Sequence, residues 1–238
     1  AYSEPTEIER ASGNMIYVLA SEGLYSYDTS DQSLQTYDKI NALSDCGIAH
    51  IAWCQKAKRL VIVYSNYNID LLEANGNVVN MADYMNKTMT TDKTVNDIYV
   101  DGAYAYLSTG FGIVKINVAN GNISDTYQLG FKVNYSYIKD GYLYAASMAN
   151  GMYRAPLTAN LLDPNQWTRS GNYVWRKKTM DEELLNIVKT LAPGGPKTNY
   201  CGFLKLYGNK LFSCNGTFDV KPGSIQVLEN NTWTIYQD

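Results

Sequence analysis

Residues 95–129 read VNDIYVDGAYAYLSTGFGIVKINVANGNISDTYQL, and this stretch decides the fold. Val95 to Val100 is a strand. Asp101-Gly102 is the dipeptide of a primed hairpin turn, which needs φ > 0. Ala103 to Ser108 is a second strand, Thr109-Gly110-Phe111 a break, and Gly112 to Val118 a third strand. Asn120-Gly121 makes another primed turn before a fourth strand, Ile123 to Leu129. The stretch is therefore a four-stranded antiparallel unit.

Working outward, the same unit recurs on both sides. Upstream it reads Thr6–Arg10, Met15–Ala20, Gly23–Tyr27 and Ser33–Tyr37, then Ile48–Cys54, Arg59–Tyr64, Asn68–Glu73 and Val78–Met81. Downstream it reads Val133–Lys139, Tyr142–Ser147, Gly151–Ala155 and Gln166–Arg169, then Tyr200–Tyr207, Lys210–Cys214, Ser224–Glu229 and Thr232–Tyr236. Third strands begin near Gly23, Asn68, Gly112, Gly151 and Gly223, so the first four units are spaced as propeller blades are. Second strands such as Leu60-Val61-Ile62-Val63-Tyr64 are apolar on both faces. A sheet with one wet face would alternate. A blade is covered on both faces by its neighbours, so the pattern favours a β-propeller over a sandwich. A flat β-solenoid is the structural competitor, with shorter coils and no paired hairpin turns.

The expected fold class is all-β, a β-propeller of four-stranded antiparallel blades with one helical insertion between blades four and five. Residues 1–238 read as a single propeller domain or a fragment of a larger one. The blades cover approximately 6–38, 47–81, 95–129, 133–170 and 199–236, with the insertion at 171–198. Within it, Thr179-Met180-Asp181-Glu182 has capping-box spacing with Thr179 as N-cap. Leu184, Ile187, Val188 and Leu191 fall on one helical face, and Pro193-Gly194-Gly195-Pro196 ends the helix.

Composition narrows the function classes. Hydrophobic residues make 45% and charged residues 18%, which fits a folded chain with a core. The net charge of −3 offers no electrostatic case for nucleic acid or an anionic membrane surface. No apolar run is long enough for a transmembrane helix. The count of 21 Tyr against 5 Phe suits strands whose rings are buried while the hydroxyl reaches water or a partner. No signal peptide is present, so the chain reads as mature or trimmed and its start says little about compartment. Cys46, Cys54, Cys201 and Cys214 lack zinc or redox spacing. The Gly208-Asn209 turn pairs Cys214 with Phe203 rather than Cys201, which favours free thiols.

Catalytic motifs are sparse. His50 is the single histidine, which leaves no His-rich metal site and makes it the one histidine open to a Ser-His-Asp triad. The plainer reading is a hydrogen-bonded strand residue. Neither a nucleophile elbow nor a P-loop occurs. Asp45, Asp70, Asp92, Asp97 and Asp219 are available as a glycosidase pair, yet their positions suit turns, caps and strands. No catalytic residue, metal or cofactor is assigned. Candidate ligand- or partner-binding residues lie on one loop face: Tyr67, Phe111 and Phe218 as stacking aromatics, Asn150, and the basic run Arg176-Lys177-Lys178 for an anionic group. A plug or edge cover is the plainer role for the helix, loop-base packing for the aromatics, and solvation for the basic run.

Two stretches carry a family resemblance. Asn41-Ala42-Leu43-Ser44-Asp45-Cys46-Gly47-Ile48 resembles the G-L-S-(D/N)-x-x-I element of two-component-regulator propeller repeats, with Ala42 where Gly is common. Asn68-Ile69-Asp70-Leu71-Leu72, Asp92 to Ile98, and Leu107 to Val114 are similar to the N-terminal propeller of PorZ-type proteins of Bacteroidetes. The resemblance covers most of residues 14–170. It implies an exported periplasmic or outer-membrane surface protein, accessory to type IX secretion. Such a protein handles surface polysaccharide or protein partners, and its propellers commonly have seven blades. The alternatives are the periplasmic glycan-sensing propeller of a hybrid two-component system and a carbohydrate-active enzyme.

Overall fold

Two glycines in Thr109-Gly110-Phe111-Gly112 show why the blade repeat needs its break. A Cβ on Gly110 would collide with the backbone oxygen of Asp92, and one on Gly112 with that of Tyr127. The second-to-third-strand link of the blade can close only with no side chain at either position.

In the computed structural model, residues 1–198, 201–215 and 223–237 are described. Among them, twenty strands form five four-stranded antiparallel sheets, each in simple up-and-down order. Blade one is β1 (Pro5–Arg10), β2 (Met15–Ala20), β3 (Gly23–Asp28) and β4 (Leu34–Tyr37). Blade two is β5 (Ile48–Cys54), β6 (Arg59–Tyr64), β7 (Ile69–Glu73) and β8 (Val78–Met81). Blade three is β9 (Val95–Asp101), β10 (Tyr104–Thr109), β11 (Gly112–Asn117) and β12 (Asn122–Gln128). Blade four is β13 (Tyr135–Lys139), β14 (Tyr142–Ser147), β15 (Gly151–Pro156) and β16 (Thr168–Gly171). Blade five is β17 (Phe203–Tyr207), β18 (Lys210–Asn215), β19 (Ser224–Glu229) and β20 (Thr232–Tyr236). The expected all-β blades are thus present.

Turn chemistry sets the registers. Asp140 and Gly141 both take positive φ, +50° and +79°, and pair Lys139 with Tyr142. The turn of blade three lies one residue later than expected, at Gly102-Ala103. Only Gly102 has positive φ there, and Asp101 pairs with Tyr104.

The chain folds as two compact units, residues 1–8, 16–37 and 180–238 in one and 9–15 and 38–179 in the other. In the second, blades two and three share a core of Val61, Val63, Leu71, Ile98, Leu107 and Val114. Arg59 clamps them by donating to the carbonyls of Val118 and Ala119 while paired with Glu73. The other face of blade three, with Tyr106 and Ile113, packs on Leu143, Ala145 and Ala155 of blade four. A buried Ser108–Ser136 hydroxyl contact of 3.2 Å crosses that seam.

In the first unit, α2 (Glu182–Val188) lays Leu184 and Val188 against Ile16, Val18, Ala20 and Tyr25. The helix is shorter than expected, and its N-cap is Asp181, not Thr179. The Asp181 carboxylate accepts from Leu184 N at 3.0 Å, so the capping bond begins two residues later. Two single turns escaped the sequence reading, α1 (Asp83–Asn86) and a 3₁₀ turn at Pro164–Gln166. The expected loop at 216–222, with Phe218 and Asp219, and the start of the fifth blade's first strand at Tyr200 lie outside the described residues.

Candidate functional site

Blade four carries the most distinctive chemistry. Tyr135-Ser136-Tyr137 and Tyr142-Leu143-Tyr144 alternate, and the Asp140-Gly141 turn pairs Tyr137 with Tyr144 and Tyr135 with Ala146. All four tyrosines therefore emerge on the face turned away from blade three. Tyr137 and Tyr144 stack at 4.7 Å with planes 6° apart. Tyr142 continues the row at 6.3 Å from Tyr144, and Tyr135 at 6.1 Å from Tyr137. Tyr173, just past β16, extends it to 6.0 Å from Tyr135.

Two guanidinium groups pack against this ribbon. Arg154, opposite Tyr144 on β15, sits 4.2 Å from the Tyr142 ring centre and donates to Tyr144 Oη at 3.1 Å. Arg176 sits 4.2 Å from the Tyr135 ring centre. It also donates to Asp97 Oδ2 at 3.3 Å, while Lys178 Nζ lies 4.0 Å from Asp97 Oδ1. The Asp97 side chain is 9% exposed, and Arg176 is 46% exposed. Tyr135 Oη donates to Val174 O at 2.6 Å, which pins the same segment a third time. Residues 172–178 thus form a strap held across β9 and β13. Burial, then neighbouring tyrosines, pushes the Tyr135 and Tyr137 hydroxyls up, with Arg176 pulling both down. Both remain protonated donors at neutral pH.

The arrangement offers half-buried aromatic faces, hydroxyl donors and two cations against one buried carboxylate. Such a surface stacks on and hydrogen-bonds a polar ring. Sequence and family agree with that blade assignment. The family model described as "TSS9, PorZ, N-terminal beta-propeller domain" matches residues 16–168, more than half of the chain.

The chain belongs to the PorZ N-terminal β-propeller family. Among solved structures it is similar to PorZ of Porphyromonas gingivalis, described as an essential bacterial surface component of the type IX secretion system. The match has a TM-score of 0.82 and 18% identity, over all of this chain and 45% of that one. It is also similar to the extracellular domains of two proteins from B. thetaiotaomicron assigned to hybrid two-component systems. BT4673 matches at a TM-score of 0.53 and 15% identity, over 98% of this chain and 27% of that one. BT3049 matches at 0.51 and 14%, over 98% and 34%. These likenesses establish the fold, and the chain spans less than half the length of each. No curated protein sequence matches.

Within this PorZ-type propeller the expected binding residues scatter. Arg176 and Lys178 are neither free nor merely solvated, being committed to Asp97, while Lys177 between them is exposed. Phe111 is 3% exposed and belongs to the core of blades two and three, so it is no loop-tip aromatic. Tyr67 is half-buried, edge-on to Tyr84 at 6.2 Å, with Lys93 Nζ 5.3 Å from its ring centre. That ammonium is caged by the carbonyls of Tyr84, Met85 and Lys87. Asn150 serves its own turn, donating to Ser147 Oγ and accepting from Arg169 Nε. Of the described members of the expected set, then, only the basic run, through Arg176, reaches the tyrosine ribbon.

The acidic candidates are likewise employed in structure. Asp70 is fully buried and accepts from Ser44 N, Tyr64 Oη and Asn80 Nδ2 at 2.8, 2.6 and 2.9 Å. It thereby anchors the Leu43-Ser44-Asp45 element to blade two. Asp45 accepts from Asn66 and from Cys46 N, and Asp92 from Thr94. These bonds hold the Asp45 and Asp92 carboxyls below the ordinary carboxylate value. His50 is half-buried on β5 opposite Val63. All four cysteines are free, and Phe203 pairs with Cys214 as the turn required. Among the described residues, no three His, Cys, Asp or Glu side chains converge as a metal site needs, and no helix is long and apolar enough to cross a membrane.

Proposed function

We propose that this propeller works by binding, as an accessory component of type IX secretion at the bacterial surface, and that its ligand-handling surface is the tyrosine ribbon of blade four. The observation that carries the reading is the ribbon itself: five neighbouring rings, flanked by Arg154 and Arg176, on the face of blade four turned away from blade three. Aromatic rows with flanking guanidinium groups suit surface polysaccharide, whose pyranose faces stack while acidic or hydroxyl substituents meet the arginines. Binding is favoured over turnover because Asp45, Asp70, Asp92 and Asp97 each hold a structural partner. The extracellular sensor reading draws only on a shared fold.

We also propose that residues 1–238 are part of a larger propeller. On one face of blade five, Phe203 and Tyr207 of β17 and, further across, Ile225 and Tyr236 are all exposed. A further four-stranded sheet of the same polypeptide would cover that face. The chain's match to 45% of PorZ supports this reading.

The ligand test is calorimetric titration of purified outer-membrane polysaccharide into the protein and into Tyr137→Ala and Arg176→Ala. Saturable binding that weakens in both variants supports the proposal. Undiminished binding in both moves the site elsewhere, and no binding leaves protein partners as the occupants of this face.

A further inference from the structure

A second, independent feature lies in the other compact unit. After α2 the chain turns through Pro193-Gly194-Gly195-Pro196, with φ of +87° and +82° at the two glycines, a conformation other residues rarely adopt. The turn is pinned on both sides. Lys197 N donates to the fully buried Gln226 side chain at 2.8 Å, and Lys197 O accepts from Ser3 Oγ. The Tyr2 ring packs against the turn at Gly195, in ordinary van der Waals contact with where a Cβ would stand. Tyr2 in turn stands edge-on to Tyr25 at 6.0 Å. Ending a helix would need none of these anchors.

They enclose a cavity of about 390 Å³, walled by Tyr2, Tyr25, Leu191, Trp233 and Ile235. That size lies within the range of small-molecule sites. The walls are aromatic and aliphatic. The charged residues lining it are Lys189 and Lys197, and no carboxylate lines it among the described residues. A largely apolar cavity lined by two lysines and no carboxylate is complementary to a ligand with a hydrocarbon body and one negative head. We infer that this cavity binds a small amphipathic anion, an acyl or aryl carboxylate or phosphate monoester. The site shares no residue with the tyrosine ribbon and does not depend on it.

The test uses three probes of equal chain length below their micelle concentrations: sodium decanoate, decyl phosphate and decyltrimethylammonium. Each is titrated calorimetrically into the protein, into Ile235→Glu and into a Lys189→Gln/Lys197→Gln double variant. Ile235 is 44% exposed, so a carboxylate there is tolerated by the fold while placing a like charge in the chamber. Thermal unfolding checks each variant. The expected result is one-site binding of at least one of the two anions, with the cation at least about tenfold weaker and both variants weaker by about tenfold. Decanoate above decyl phosphate, or the reverse, identifies the head group. The inference is overturned if neither anion saturates, if the cation binds as well as the anions, or if folded variants keep full affinity. Should a variant fail to fold, the anion-to-cation comparison on the unaltered protein still decides.

Discussion

Blades three and four are built on the same strand plan and differ in what covers them. Blade three has two dry faces: Ile98, Leu107 and Val114 meet blade two, while Tyr106 and Ile113 meet blade four. Blade four has one. Leu143, Ala145 and Ala155 pack on blade three, whereas Tyr135, Tyr137, Tyr142 and Tyr144 form a separate, partly wet layer. The difference teaches how to divide a repeat into its folding and binding parts. Aliphatic residues on facing blades exclude water and supply stability. Tyrosines on the face turned away from blade three combine enough burial to be ordered with a polar hydroxyl edge.

The comparison makes graded predictions. Leu107→Ala, at a fully buried position of blade three, should cost about 2–5 kcal/mol in chemical denaturation and leave ligand affinity of the folded fraction unchanged. Asp70→Ala strands three donors around a buried site and should cost about 3 kcal/mol, measured the same way. Tyr144→Ala on blade four should cost less, about 1 kcal/mol from lost ring contacts, yet weaken polysaccharide binding severalfold. A stability loss like that of Leu107→Ala would erase the distinction between the faces. Asp97→Asn frees the strap from its carboxylate. Because Arg176 is half-exposed, unfolding free energy should fall by no more than about 1 kcal/mol, while the salt dependence of binding becomes steeper as the guanidinium turns to the ligand. Smallest is an acid effect in blade two. Hydrogen bonds from Asn66 and Cys46 lower the Asp45 carboxyl below 3.8, so its contribution is complete above that pH and lost as pH falls through the lower folded value. Asp45→Asn should flatten the loss of melting temperature only below about pH 4.

Much of the fold was legible in the sequence because its determinants are local. Blade two's β5, β6 and β8 begin and end where apolar runs meet turn residues, and Asp140-Gly141 gave the register of blade four directly. Boundaries slipped where a neighbouring group won the competition. Asp181 outcompeted Thr179 as a cap, and Gly102 moved the turn of blade three by one residue. The single turn of α1 is too short to show a helical period.

The site was less legible. Paired Tyr-x-Tyr repeats at 135–137 and 142–144 are visible in the sequence, but only the register shows that they share a face. Whether that face is covered depends on blade packing. Arg176 and Asp97 are 79 residues apart, and nothing local announces their pairing. Phe111 looked like a loop tip by position and is core because the two flanking glycines draw its backbone inward.

The most direct test replaces Tyr137 and Tyr144 together by Ala and follows two quantities on one preparation: affinity for purified outer-membrane polysaccharide by calorimetry, and unfolding free energy in denaturant. Binding is expected to fall by at least about tenfold while the protein remains cooperatively folded. Full affinity in a folded double variant would contradict this and remove the tyrosine face of blade four as the ligand-handling surface.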